Sequence, residues 1–261
     1  AGLELGIKGS IVVNDRMETS VPDIYAAGDA VQVKHYVTGN DALISLAGPA
    51  NKQGRIIADN ICGGDSRYLG SQGSSVIKVF DMTAATTGIN ETNAQKSGLE
   101  VDTVILSPMS HAGYYPGGKV MTMKVVFEKE TYRLLGAQII GYEGVDKRID
   151  VLATAIHAGL KATQLKDLDL AYAPPYSSAK DPVNMAGFMI DNIAKGTLKQ
   201  WHLEDMDKIS KDKSVVLLDV RTVGEFNRGH MDGFKNIPVD ELRERINEIE
   251  KGKPVYLICQ S

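Results

Sequence analysis

An apolar run that ends in Gly-Asp constrains this chain most. In TSVPDIYAAGD (residues 19–29) the residues 24–27 read as a buried strand that leads straight into Gly28 and Asp29. Small side chains and a glycine let a ligand lie close to the backbone. A carboxylate at the carboxyl end of such a strand lies where open α/β sheets hold nucleotides. It can accept hydrogen bonds from ligand hydroxyls. Gly-Asp alone is also ordinary turn chemistry, so these two residue types by themselves leave a plain strand-to-turn reading open.

The eleven residues together resemble the second FAD motif of the flavin-dependent pyridine nucleotide-disulfide oxidoreductases, a Thr followed by an apolar-Tyr-Ala-x-Gly-Asp run. The flanks are similar too. GSIVVN (9–14) looks like the preceding strand, and LISLAGPANKQGR (43–55) looks like the helix that follows, expected over residues 41–61. The resemblance implies that Gly28 and Asp29 bind FAD, at its ribityl chain or nearby pyrophosphate. It also implies that the helix aims its N-terminus at the flavin ring, with Leu46 and Ala47 as backbone donors. A helix dipole makes that arrangement chemically sensible.

The 261 residues suffice for more than one domain. A hydrophobic share of 43% and a charged share of 24% are ordinary for a globular protein. A net charge of −4 argues against nucleic acid as the main partner. No stretch approaches the ~20 apolar residues of a membrane span. Two distant cysteines, Cys62 and Cys259, make no disulfide framework, which fits a cytoplasmic setting. No metal-ligand cluster stands out. The chain starts without Met close to a strand, lacks Gly-x-Gly-x-x-Gly and stops just after another strand. It is therefore expected to be part of a longer protein.

Three pieces follow. Residues 1–72 are read as the remnant of a Rossmann-like FAD-binding domain. Cys62 there reads as a partly buried filler at a helix end, and the Gly/Ser-rich residues 68–74 read as a linker. Residues 73–196 are expected to hold strands at 75–80, 101–106, 119–127 and 134–141, the last two as a hairpin. Asn90 caps a short helix. Apolar residues at helical spacing predict a second helix ending at Gly159. Asp181 and Pro182 start a third. This pattern resembles the family's dimerisation domain, an antiparallel sheet with helices on one face. The sharpest match, LDLAYAPPYSSAKDPVN (168–184), resembles the NADH oxidase and coenzyme A-disulfide reductase branch. In that branch each subunit completes its neighbour's pocket, which implies a homodimer.

Tyrosines mark two irregular stretches, HAGYYPG (111–117) and the Ala-Tyr-Ala-Pro-Pro run around Tyr172. A phenol can donate a proton to a sulfur leaving group. The resemblance implies that Tyr114 and Tyr172 approach the partner's redox cysteine. As residue types alone, Tyr114, Tyr115, Tyr172 and Tyr176 equally suit ordinary interface aromatics. His111 reads as a hydrogen-bonder of its loop. His157 reads as a core residue on the apolar face of its helix.

Residues 197–261 predict a short helix at 203–210, a buried parallel-type strand at 214–219, an amphipathic helix at 239–249 and a strand at 254–258. The series Asp-Val-Arg, Glu-Phe, Gly-His-Met, Asn-Ile-Pro and a strand ending in Cys resembles the first part of a rhodanese domain. That resemblance makes Cys259 the persulfide-carrying nucleophile, although the chain stops before the remainder of the Cys-x-x-Gly-x-Arg loop. Taken without the series, a Cys at a strand end is more often inert.

The expected fold is thus mixed α/β and α+β. The family resemblance implies an FAD-dependent, NAD(P)H-driven reductase of a disulfide, polysulfide or persulfide, with coenzyme A as the thiol. An NADH oxidase or peroxidase shares the same scaffold. A dimerisation module without chemistry of its own is the reading from a different class.

Overall fold

Runs of alternating apolar residues build an antiparallel sheet in the middle of the chain, and shorter strands build a smaller sheet on either side of it in sequence. The computed structural model describes residues 2–259 and divides into two compact units, residues 1–194 and 195–261.

The first unit opens with a small mixed sheet. Strand β1 (Ile11–Val12) pairs in parallel with β2 (Val31–Lys34), and β2 pairs antiparallel with β3 (Asp41–Ala42). Met17, Val31 and Val33 form its core, covered by Ile56 and Ile57 of helix α1 (Ala47–Ile61). Two expectations change here. Residues 24–27 are not a sheet strand. Tyr25 makes one antiparallel bridge to Glu18, and the Ala26 amide donates to the Met17 carbonyl. Asp23, with φ of 63°, turns the chain so that it folds back on residues 17–18. Asp29 consequently sits in a 3-10 turn (Gly28–Ala30) at the amino end of β2. Residues 41–42 form β3 rather than the first turn of α1.

The expected linker is stitched into the fold. Ser71 bridges to His35, and the Gly88 amide donates to the Gln72 carbonyl. Gly70 has φ of +95°, and a Cβ there would stand 2.4 Å from the Lys34 carbonyl oxygen. Only glycine permits that approach.

Five antiparallel strands follow, in the order β4-β5-β8-β7-β6. They are β4 (Ser75–Val79), β5 (Met82–Gly88), β6 (Val101–Leu106), β7 (Met121–Glu128) and β8 (Leu134–Gly141), with helix α2 (Glu91–Lys96) between β5 and β6. Asn90 caps α2 by accepting the Asn93 amide at 2.8 Å, as expected. Helices α3 (Val145–His157) and α4 (Pro182–Ala194) bury Ile149, Leu152, Val183 and Ile190 against Met123, Val125, Ala137 and Ile139 of the sheet. The opposite face leaves Ile77, Ile105 and Ile140 exposed.

The second unit holds helix α5 (Met206–Ile209) and an all-parallel sheet in the order β10-β9-β11, formed by β9 (Val216–Asp219), β10 (Lys235–Asn236) and β11 (Val255–Ile258). Helix α6 (Val223–Arg228) follows β9 and is started by a reciprocal Thr222–Glu225 cap. The helix expected at 239–249 does not form. The chain there makes successive tight turns and one 3-10 turn (Ile246–Glu248). Leu242 and Ile249 reach the core of Leu218, Val220 and Ile237, whereas Ile246 is exposed. The three apolar residues do not form one buried stripe, so packing does not hold a helix together.

Candidate functional site

Glycine geometry and one buried amide build the first site. Gly28 has φ of +76°, and a Cβ on it would touch that of Ala50 at 3.8 Å. The Gly28 amide donates at 2.7 Å to Oε1 of Gln53, a side chain 1% exposed on the second turn of α1. This bond ties the Gly-Asp turn to the helix. Asp29 is exposed beside it. Leu46 is the N-cap residue of α1 and Ala47 its first helical residue. The amides of a helix's first turn have no intrahelical acceptors. The four expected cofactor residues thus flank one helix end, but the Leu46 amide, expected as a donor, is taken by the Ile44 carbonyl at 3.1 Å, which leaves the first-turn amides from Ala47 onward and the Asp29 carboxylate to face a polar ligand. Gln53 carried no motif signal. Only its burial beneath the turn reveals it.

The second constellation joins two loops that are far apart in sequence. Tyr114 lies between β6 and β7, and Tyr172 lies in the segment before α4. Their phenol oxygens stand 2.7 Å apart. Both rings are exposed, at 76% for Tyr114 and 45% for Tyr172. The hydrogen bond with Tyr114 is the main cause that holds the Tyr172 phenol above its usual range. Tyr115 meets the buried His111 ring edge-on, and His111 Nδ1 lies 3.1 Å from the Ala112 carbonyl oxygen.

Beneath these loops lies Arg148 of α3, 1% exposed. It donates through Nε and Nη2 to the Asp181 carboxylate, with Nη2 to Oδ2 at 3.0 Å. It also donates to the carbonyls of Gly144 and Ser110 at 3.1 and 2.9 Å, and to the Ser177 hydroxyl at 3.1 Å. Burial pushes the Asp181 carboxyl up. The Ser177 hydroxyl, the Val183 amide and the Arg148 guanidinium outweigh this and hold it below the usual carboxylate range. The sequence predicts Asp181 only as a helix cap. It is that too, because Oδ1 accepts the Val183 amide at 3.0 Å.

Cys259 occupies the third position of interest, exposed just after β11. The chain passes from central β9 to β10 on one side and β11 on the other, so the carboxyl ends of the parallel neighbours β9 and β11 lie side by side, with Cys259 just beyond β11. Ile258 pairs with Asp219 in register, and the Val220 amide donates to the Ile258 carbonyl at 3.0 Å. Arg221 is clamped by the fully buried Asp219, with Nη2 to Oδ2 at 2.6 Å. The residues after Cys259 lie outside the described residues.

Two smaller expectations are corrected. His157 is exposed and stacks on Tyr36, with ring centroids 5.1 Å apart, because it sits at the last turn of α3 beyond the sheet. Cys62 is exposed past the end of α1. Among the described residues no group of three His, Cys, Asp or Glu could hold a metal ion, and no helix is long and apolar enough to cross a membrane.

Three family models match the chain. Residues 1–54 match the pyridine nucleotide-disulphide oxidoreductase model, residues 74–182 its dimerisation domain and residues 202–261 a rhodanese-like domain. A curated relative, the NAD(P)H sulfur oxidoreductase (CoA-dependent) of Pyrococcus furiosus, is 40% identical over 182 residues, covering 70% of this chain and 41% of the relative. Among solved structures, reduced Bacillus anthracis CoADR-RHD superposes with a TM-score of 0.94 at 48% identity, covering 100% of this chain and 47% of that one. A NAD-dependent persulfide reductase from A. fulgidus gives a TM-score of 0.89 at 41% identity, covering 99% and 47%. The chain therefore spans less than half the length of these relatives.

Proposed function

The chain belongs to the pyridine nucleotide-disulphide oxidoreductases, and from that premise we propose that it is part of a flavin-dependent NAD(P)H oxidoreductase that reduces coenzyme A disulfide, polysulfide or persulfide. The observation that carries the reading is the pair of phenols 2.7 Å apart at the tips of two loops. Reduction of a disulfide by NADH takes up one further proton and releases two thiols. A leaving thiolate must be protonated, and a phenol, protonated at neutral pH, can offer its O–H to the departing sulfur. Tyr114 keeps Tyr172 oriented through their shared hydrogen bond, and either ring can offer its O–H to sulfur. The cysteine they serve lies on a partner subunit, in keeping with the dimerisation-domain match.

The first site fits FAD. The left-handed Gly28 brings backbone close to a ligand, Asp29 can accept from its hydroxyls, and the start of α1 offers a favourable dipole and the first-turn amides from Ala47 onward, the Leu46 amide being bonded to the Ile44 carbonyl at 3.1 Å. When bound, FAD would relay the two electrons from NAD(P)H to the disulfide. The rhodanese-like unit supplies Cys259 as the sulfur carrier. That appendage favours sulfane-sulfur substrates over oxygen.

The test follows thiol release from coenzyme A disulfide by the natural gene product with NADH or NADPH. Tyr172→Phe should lower kcat by about 100-fold, the typical worth of a positioned acid. NADH oxidation matched by oxygen uptake, with no thiol released, would replace this reading by an oxidase.

A further inference from the structure

We propose that Arg148, buried beneath the two tyrosine-bearing loops and bonded to both of them, is the positioning residue that sets the Tyr114–Tyr172 pair. This inference rests on the function proposed for that pair.

The tyrosines are exposed and sit on segments without regular secondary structure. Two long side chains of that kind do not hold a 2.7 Å contact without support from below. The support is visible. Arg148 Nη2 donates to the Ser110 carbonyl at 2.9 Å, four residues before Tyr114. The same nitrogen reaches the Ser177 hydroxyl at 3.1 Å, five residues after Tyr172. One guanidinium therefore grips the base of both loops. The loops are also joined directly, because the Ala112 amide donates to the Ser177 carbonyl at 2.9 Å. Asp181 closes the set by accepting from Arg148 and, at 2.6 Å, from the Ser177 hydroxyl. Lys147, the neighbouring residue on α3, stands 3.8 Å from the same carboxylate.

The site is built for arginine. The planar fork reaches the Asp181 carboxylate, three backbone carbonyls and a hydroxyl at once, and a lysine ammonium cannot span them. Gly144 makes room for it: φ there is +69°, and a Cβ would stand 2.0 Å from Arg148 Nη1. A buried guanidinium that touches no solvent is costly unless every donor is used. Here Nη2 bridges the two loops, while Nε is held by Asp181 and Nη1 by the Gly144 carbonyl.

The test uses the natural gene product, with coenzyme A disulfide and NADH as substrates. Arg148→Lys and Ser177→Ala are compared with Tyr172→Phe and with each double variant. A displacement of about 1 Å at a proton donor lowers kcat by about 10- to 100-fold. The expected result is a loss of that size in each loop variant, with KM little changed, and no further loss on the Tyr172→Phe background. Losses that multiply with Tyr172→Phe, or an unchanged kcat in a folded variant, would overturn the proposal. A second readout does not depend on turnover. The ultraviolet titration difference between each loop variant and its Tyr172→Phe partner isolates the Tyr172 phenol. It should ionise at lower pH once the pair is loosened, and an unchanged midpoint counts against the proposal. Ser177→Ala removes one hydroxyl without emptying the arginine site, so it carries the test if Arg148→Lys does not fold. If Tyr172→Phe leaves kcat unchanged, the proposed role of the phenols fails, while the titration still decides whether Arg148 sets the pair.

Discussion

Gln53 and Arg148 are both polar, both almost wholly buried, and both engaged with the backbone of a loop. Gln53 accepts the amide of the left-handed Gly28. Gln53→Leu keeps the volume but leaves that half-buried amide without its partner, which costs about 1 kcal/mol. Urea denaturation should show that loss, and the natural gene product should retain less flavin on gel filtration. A change of only a few tenths of a kcal/mol would mean that water replaces the glutamine. Arg148→Met strands the Asp181 carboxylate in the interior, and breaking such a pair from one side costs about 3–5 kcal/mol. The same variant should separate the phenols. Neither residue sits in a recognisable pattern, because a buried glutamine or arginine is named by its neighbours and not by its spacing.

Helices α2 and α4 and the strands with apolar alternation were legible as elements, whereas α6, capped by Thr222 and Glu225, was not expected. Asn90, Asp181 and Pro182 mark their helices by chemistry that acts within one turn. β5 was not foreseen. Its sequence MTAATTG is small and polar, and it is a strand because β4 and β8 pair with it on both sides. Gly88 and Gly136 lie opposite each other in that pairing, and a Cβ on Gly136 would stand 2.0 Å from the Ile89 carbonyl oxygen. Gly136→Ala therefore forces the strands apart and should lower stability by about 1–3 kcal/mol, seen as a lower urea midpoint. A wild-type midpoint would show that the ladder can shift. The converse case is 239–249, where helical spacing was present but Ile246 faces solvent, and the chain takes successive turns instead.

Over the whole molecule two buried aspartates set the acid limit. In Asp219 burial raises the carboxyl, but hydrogen bonds from the Arg221 side chain and amide hold it below the usual range, as the network around Asp181 does there. A depressed carboxyl stabilises the fold above its unfolded value of about 3.9 and loses that contribution as pH falls through the folded value. Stability should hold at neutral pH and drop below about pH 4, with a shallower drop in Asp219→Asn; a parallel drop would assign the limit elsewhere. The open face of the five-stranded sheet belongs to this scale too. Ile77 and Ile105 are 60% and 57% exposed there, and the Gln138 side-chain nitrogen has no partner among the described residues. With the dimerisation-domain match over residues 74–182, a second copy is the expected cover. Ile77→Asp with Ile105→Asp should shift the protein towards monomer in sedimentation, whereas an unchanged mass would place the interface on another face.

Local chemistry was enough to determine the starts of α2 and α4, the β7–β8 hairpin and the series leading to Cys259, because each depends on residues close together in the chain. Tertiary structure decided the rest. It set Asp29 at the amino end of β2 and brought Tyr114 and Tyr172 together across 58 positions. It also gathered Arg148, Ser110, Ser177 and Asp181 from three segments. Such contacts arise where folded segments meet, and nothing in the spacing of a single segment encodes which other segment will lie against it.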